Sequence, residues 1–86
     1  MSKKLFVGGL SWGTTEADLR GAFAEYGEIT DVHVAVDRDT GRSRGFGFVT
    51  YADGDQADRA IDRLDGQTLD GRTLRVSAAR ERRPRD

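Results

Sequence analysis

Phe46 and Phe48 stand two residues apart in Arg44-Gly45-Phe46-Gly47-Phe48-Val49-Thr50-Tyr51, and Phe6 stands in Lys4-Leu5-Phe6-Val7-Gly8. The chemistry such residues offer is non-covalent. Free ring faces stack on flat partners, and the guanidinium of Arg44 attracts anions. Covalent chemistry has little to draw on. His33 is the one histidine, cysteine is absent, and no nucleophile–base pair or metal-ligand set is spaced for catalysis. Gly45-Phe46-Gly47 is not a dinucleotide fingerprint, because no helix follows it. Asp37-Arg38-Asp39-Thr40-Gly41 starts like a calcium loop but lacks the closing glutamate. An enzyme is therefore the weakest class.

The rings need strands to present them. Residues 4–8 read as a strand, and 9–13 as a loop carrying Trp12, expected to lie over the edge of the core with a ligand role as the lesser reading. Thr15 is the expected cap of a first helix, with Asp18 completing a capping box. Leu19, Ala22, Phe23 and Tyr26 follow on one helical face, and Gly27 supplies the stop. Residues 29–36 alternate as a strand, 37–43 form a polar connection, and 44–51 return as the second arm of a hairpin. Asp55 is expected to cap a second helix with an Ala57, Ala60, Ile61 and Leu64 stripe, ended by Gly66. Residues 72–77 make a last strand.

The order is β-α-β-β-α-β, an α+β fold of the split-βαβ (ferredoxin-like) kind. It implies a four-stranded antiparallel sheet with both helices on one face. One domain over residues 1–79 is expected, followed by a charged, frayed tail over 80–86.

Strand side chains alternate between faces. Leu5, Val7, Val34, Val49, Leu74 and Val76 have the parity to meet Leu19, Phe23, Ile61 and Leu64, and Tyr51 shares it. Phe6, Phe46 and Phe48 then fall on the side without helices, where an apolar patch marks a binding surface. Gly45 and Gly47 are read as keeping the strand slim near the rings, and Gly8 as leaving space beside Phe6. Rings rimmed by Lys3, Lys4, Arg44 and Arg75 suit unpaired bases and their phosphates.

At these residues the sequence resembles an RNA recognition motif. Arg44 to Tyr51 matches that family's octamer, and Leu5-Phe6-Val7-Gly8-Gly9-Leu10 its hexamer. The likeness covers residues 4 to about 78. The short connection before the octamer resembles the single-domain glycine-rich type, although ARERRPRD follows here instead of a glycine-rich tail. The resemblance implies single-stranded RNA binding, with Phe6, Phe46 and Phe48 as stacking platform and Arg44 as phosphate partner. It leaves single-stranded DNA open as a ligand, and RNA chaperoning or post-transcriptional regulation as roles. Arg42 is a candidate phosphate clamp, and Arg80 heads a group of tail arginines able to add diffuse attraction. Two readings stand for His33: a base contact or an ordinary exposed histidine. A protein-interaction module on the same fold is the alternative function.

The formal charge of −1 does not oppose an RNA partner, because its signs are segregated. Residues 16–31 hold Glu16, Asp18, Glu25, Glu28 and Asp31 against Arg20, and residues 53–65 hold Asp53, Asp55, Asp58, Asp62 and Asp65 against Arg59 and Arg63. The other segments are basic. With no cysteine, no apolar run of membrane length and no secretory signal, the expectation is a monomeric cytoplasmic protein without cofactor, metal or membrane partner.

Overall fold

A computed structural model of the chain describes residues 2–69 and 71–79. Strand β1 (Lys3–Gly8) leads through a loop to helix α1 (Glu16–Phe23), which tightens into a 3-10 turn over Ala24–Tyr26. Strands β2 (Ile29–Val36) and β3 (Ser43–Tyr51) follow, then helix α2 (Gly54–Leu64). A small hairpin of β4 (Thr68–Leu69) and β5 (Arg72–Thr73) precedes β6 (Arg75–Ala78). The main sheet has the order β2-β3-β1-β6 and is antiparallel throughout. The expected α+β architecture is present, with the two helices against one face of four strands.

Local chemistry sets the helix starts. The Thr15 hydroxyl accepts from the Asp18 N–H at 3.2 Å, and the Asp18 carboxylate accepts from the Thr15 N–H at 3.2 Å. Helix α2 is capped by Asp53, whose carboxylate accepts from the Asp55 N–H at 2.9 Å. This corrects the expectation of Asp55, which lies in the first turn, where its charge still favours the helix dipole.

The core lies between the helices and one sheet face. Leu5, Val7, Val49, Tyr51, Leu19, Phe23, Ala57 and Ala60 are each 0% exposed. Val32, Val34, Leu64, Leu74 and Val76 complete the cluster, with Ile61 packed at its margin. Leu10, which falls in the expected loop, is also buried. Its N–H donates to the Gly45 carbonyl at 2.9 Å, so the chain after β1 stays tied to β3. The Tyr51 hydroxyl donates to the Phe23 carbonyl at 2.6 Å, joining the end of β3 to the end of α1. Burial foremost, and then the neighbouring Tyr26, raises its pKa above the usual phenol value.

Both outer sheet edges receive a carboxylate. The Val34 N–H on β2 donates to Glu16 at 3.4 Å, and the Val76 N–H on β6 donates to Asp65 at 2.9 Å. Each occupies a backbone donor that would otherwise invite another strand.

The expected strand over 72–77 is divided. Arg72 and Thr73 pair with β4, and the main-sheet strand begins at Arg75. Leu74 sits between, buried, with its N–H donating to the Gln67 carbonyl at 2.8 Å and its carbonyl accepting from the Gly66 N–H at 2.9 Å. Those bonds hold the segment against the end of α2 before it can join β1.

Candidate nucleic-acid interface

Register assembles the open face row by row. Across one row lie His33, Phe48, Phe6 and Ser77, paired in that order from β2 to β6. The next row holds Phe46, Gly8 and Arg75, and the row on the other side holds Asp31, Thr50 and Lys4. Residues 15 to 71 positions apart in sequence become neighbours through strand pairing alone.

The three rings form one cluster. Phe6 and Phe46 lie with centroids 6.0 Å apart and planes 25° from parallel. Phe48 meets Phe6 edge-on at 5.8 Å and Phe46 edge-on at 6.2 Å. All three are half-buried. Their mutual contacts shelter part of each ring from water and hold its orientation, which lowers the entropy lost when a flat ligand settles on them. A Cβ at Gly8 would stand 3.0 Å from the Phe6 ring, so a side chain there would press on the platform.

The other two glycines act differently from the sequence expectation. A Cβ at Gly47 would lie 2.5 Å from the His33 carbonyl oxygen and 3.4 Å from a Leu19 methyl, so this glycine admits β2 and α1 on the covered side. Gly45 has φ +96°, a conformation that side chains disfavour, at the irregular stretch where β2 and β3 lose register. It bends the strand rather than slimming it beside the rings.

The cations divide into groups. The Lys4 ammonium lies 4.8 Å from the Phe48 centroid, and Arg75 is exposed opposite Gly8. Lys3, expected at the rim, instead turns to the helix side and pairs with Asp58 of α2 at 2.6 Å. Its parity with Leu5 sends it there. His33 is exposed beside Phe48, its Nδ1 3.9 Å from the Glu16 carboxylate. Arg42 and Arg44 line a cleft off the end of β3 together with Arg72 and Trp12. Trp12 does not cover the core edge: it is 67% exposed, with the Arg42 guanidinium 5.4 Å from its ring centre. Its exposure is the feature that sequence reasoning underweighted, and its place between Gly9 and Gly13 was the available signal. Arg80 lies outside the described residues.

Comparison with known proteins agrees with this geometry. The RNA recognition motif matches residues 5–75. The chain is 57% identical over 82 residues to the Arabidopsis thaliana glycine-rich RNA-binding protein 2, mitochondrial, covering 95% of this chain and 52% of that protein. It is 53% identical over 81 residues to the 29 kDa ribonucleoprotein B, chloroplastic, of Nicotiana sylvestris, covering 94% of this chain and 28% of that one. The chain thus spans about half or less of the length of these relatives. Among solved structures, RNA binding protein PG1 superposes with TM-score 0.87 at 46% identity, covering 94% of this chain and 98% of that chain. The second RRM domain of the yeast poly(U)-binding protein gives TM-score 0.83 at 40% identity, with the same coverage of 94% and 98%.

The relatives' compartments overturn the cytoplasmic expectation. Similar proteins are named mitochondrial and chloroplastic. Organellar transit segments are amphipathic and are separate from the folded domain, so a search for an apolar leader does not address them. Element order, sheet register, the placement of the octamer and hexamer rings, and these matches converge on one assignment: the chain belongs to the RNA recognition motif family.

Proposed function

We propose that this domain binds single-stranded RNA by stacking bases on Phe6, Phe46 and Phe48. The observation that carries the reading is the ring cluster itself, centroids 5.8–6.2 Å apart on the face that neither helix covers. Lys4, Arg75 and Arg44 attract the phosphates, Arg42 adds charge at the periphery, the Arg80 charge adds a diffuse attraction, and His33 flanks the platform beside Phe48. The unit is a binding module rather than an enzyme, comprises residues 1–79 with 80–86 as a charged appendage, and acts as a monomer. The glycine-rich RNA-binding relatives support RNA as the ligand, and an RNA-chaperone or post-transcriptional role is part of the proposal.

Stacking contributes about 1–3 kcal/mol per base. Two or three bases with a few phosphate contacts reach about −8 kcal/mol, which is micromolar affinity. Unpaired bases are required, because a duplex keeps its bases stacked on one another and out of reach of the sheet.

A chemical-shift titration with randomised short RNAs tests this. Expected are shifts concentrated at residues 4–8, 46–50 and 75–77, weakened by salt, and absent with duplex RNA of the same composition. Shifts confined to the outer surfaces of α1 and α2 would refute the platform. A matched DNA series measures how far stacking without the 2′-hydroxyl sustains binding.

A further inference from the structure

Glu16 and His33 meet around an outer edge of the sheet. Strand β2 is that edge. Glu16 is the first residue of α1, where the helix dipole favours its negative charge. Its Oε2 accepts from the Val34 N–H at 3.4 Å and lies 3.9 Å from His33 Nδ1. One carboxylate oxygen thus faces a backbone donor and the side chain next to it in sequence. Among the described residues, the side-chain ion pairs are this one and Lys3–Asp58. The Lys3 pair lies on the helix side, whereas the His33 pair borders the rings.

His33 stands opposite Phe48 in register, and its side chain is 63% exposed. With Nδ1 on the Glu16 side, Nε2 is the ring nitrogen left to a ligand on Phe48. The charges around the imidazole are few. Helix α1 brings Glu16, while its Asp18 is taken by the Thr15 cap and Arg20 lies one turn further along. Strand β2 itself brings Asp31, two residues before His33. Strand β3 carries no charged residue from Gly45 to Tyr51. From β1, the Lys4 ammonium lies 4.8 Å from the Phe48 centroid. The β2 edge therefore presents two carboxylates and one imidazole to an anionic ligand. With the imidazole neutral, that edge repels phosphate. With it protonated, the ring's charge offsets Glu16 and both ring nitrogens are donors. Imidazoles make that change between about pH 8 and pH 5.

Building on the base-stacking reading above, we propose that Glu16 positions His33 as a protonation-dependent RNA contact at the β2 edge of the platform, so that RNA binding takes up a proton. The imidazolium Nε2–H donates to a phosphate oxygen of the nucleotide stacked on Phe48. Glu16 holds the ring from the Nδ1 side. The proton comes from solvent and stays on the imidazole, between the two anions. The sign follows from linkage: the RNA-bound domain holds this proton more tightly than the free domain does. The affinity gained is present at the acidic end of the range. It is lost as pH rises through the region where the RNA-bound imidazole gives up its proton.

The test measures affinity for randomised short RNAs from about pH 5 to about pH 8 at constant ionic strength, using wild type, His33→Gln and Glu16→Gln. The chain has one histidine, so a response lost in His33→Gln reads a single group. Wild type is expected to bind about threefold more tightly at the acidic end, the worth of one exposed ion pair. His33→Gln binds at all pH values as wild type does at the alkaline end. Glu16→Gln keeps a carbonyl acceptor for the Val34 N–H but loses the charge that holds the imidazolium, and its pH response shrinks. A second measurement needs no variant: the His33 ring-proton shifts of wild type are followed against pH with and without RNA. Their midpoint is expected to move to higher pH when RNA is added. Affinity that ignores pH in wild type, a response that survives His33→Gln, or a midpoint that RNA leaves in place overturns the proton-linked contact while the ring platform stands. An undiminished response in Glu16→Gln overturns the positioning role. Failure of wild type to bind RNA at any pH overturns the platform reading, and this contact with it.

Discussion

Leu5 and Phe6 are neighbours on β1, and they belong to two different environments. Leu5 is 0% exposed beneath the helices, whereas Phe6 is half-buried among rings that face water. The same division runs along β3, where Gly47, Val49 and Tyr51 are buried and Phe46 and Phe48 are half-open. The covered face is held by close packing of aliphatic groups and two aromatic side chains from α1 and β3. The open face is held by three rings touching one another. One face carries stability and the other keeps ring surface in reserve, a separation that a two-sided strand permits because successive side chains never share an environment.

This contrast can be broken in order of effect. Leu5→Ala removes a fully buried side chain from the covered face and is expected to destabilise the domain by about 2–5 kcal/mol. Thermal unfolding measures it, and a loss below that of Phe48→Ala would erase the distinction between the faces.

Phe48→Ala is expected to lower RNA affinity about tenfold, one stacking contact's worth. Its thermal midpoint should fall far less than that of Leu5→Ala, because part of the ring is already in water. Binding isotherms and melts on the same sample separate the two quantities. Undiminished binding, or loss of the fold, would sink the assignment of roles.

Tyr51→Phe sharpens the covered side. It removes the hydrogen bond to the Phe23 carbonyl and is expected to cost about 1 kcal/mol at neutral pH. The sign of the pH effect follows from burial. The folded state holds the Tyr51 proton more tightly than the unfolded chain, whose tyrosines ionise near pH ~10. The stability from that proton is present below pH ~10 and declines as pH rises beyond it. Urea melts through the alkaline range should show a steeper decline for wild type than for Tyr51→Phe, whereas parallel declines would show that the phenol is not the group responsible.

Much of the fold was legible because the relevant signals are local. The Thr15 and Asp18 pair announces a helix start, and alternation in 29–36 and 44–51 announces strands. The placement of the ring cluster was nearly as legible: parity separates Phe6, Phe46 and Phe48 from Leu5, Val7, Val49 and Tyr51 once two helices must share one sheet face. The misreadings lie where two local options compete or where a distant partner decides. Asp53 and Asp55 are both sound caps by residue type, and the backbone path into α2 selects Asp53. Lys3 and Lys4 are chemically alike, yet Asp58, far along the chain, takes one and the Phe48 ring faces the other.

The chain's own order of residues thus determined the alternation of strand and helix, the sorting of side chains to two faces, and the family to which the domain belongs. Tertiary structure alone decided the angles among the three rings, the division of the last strand around Leu74, and the meeting of Trp12 with Arg42 and Arg72. The physical reason is range. Periodicity and caps act over a few bonds and leave a trace in sequence, whereas a ring's neighbours across the sheet, or an indole's across a cleft, depend on how strands register and where loops are tied.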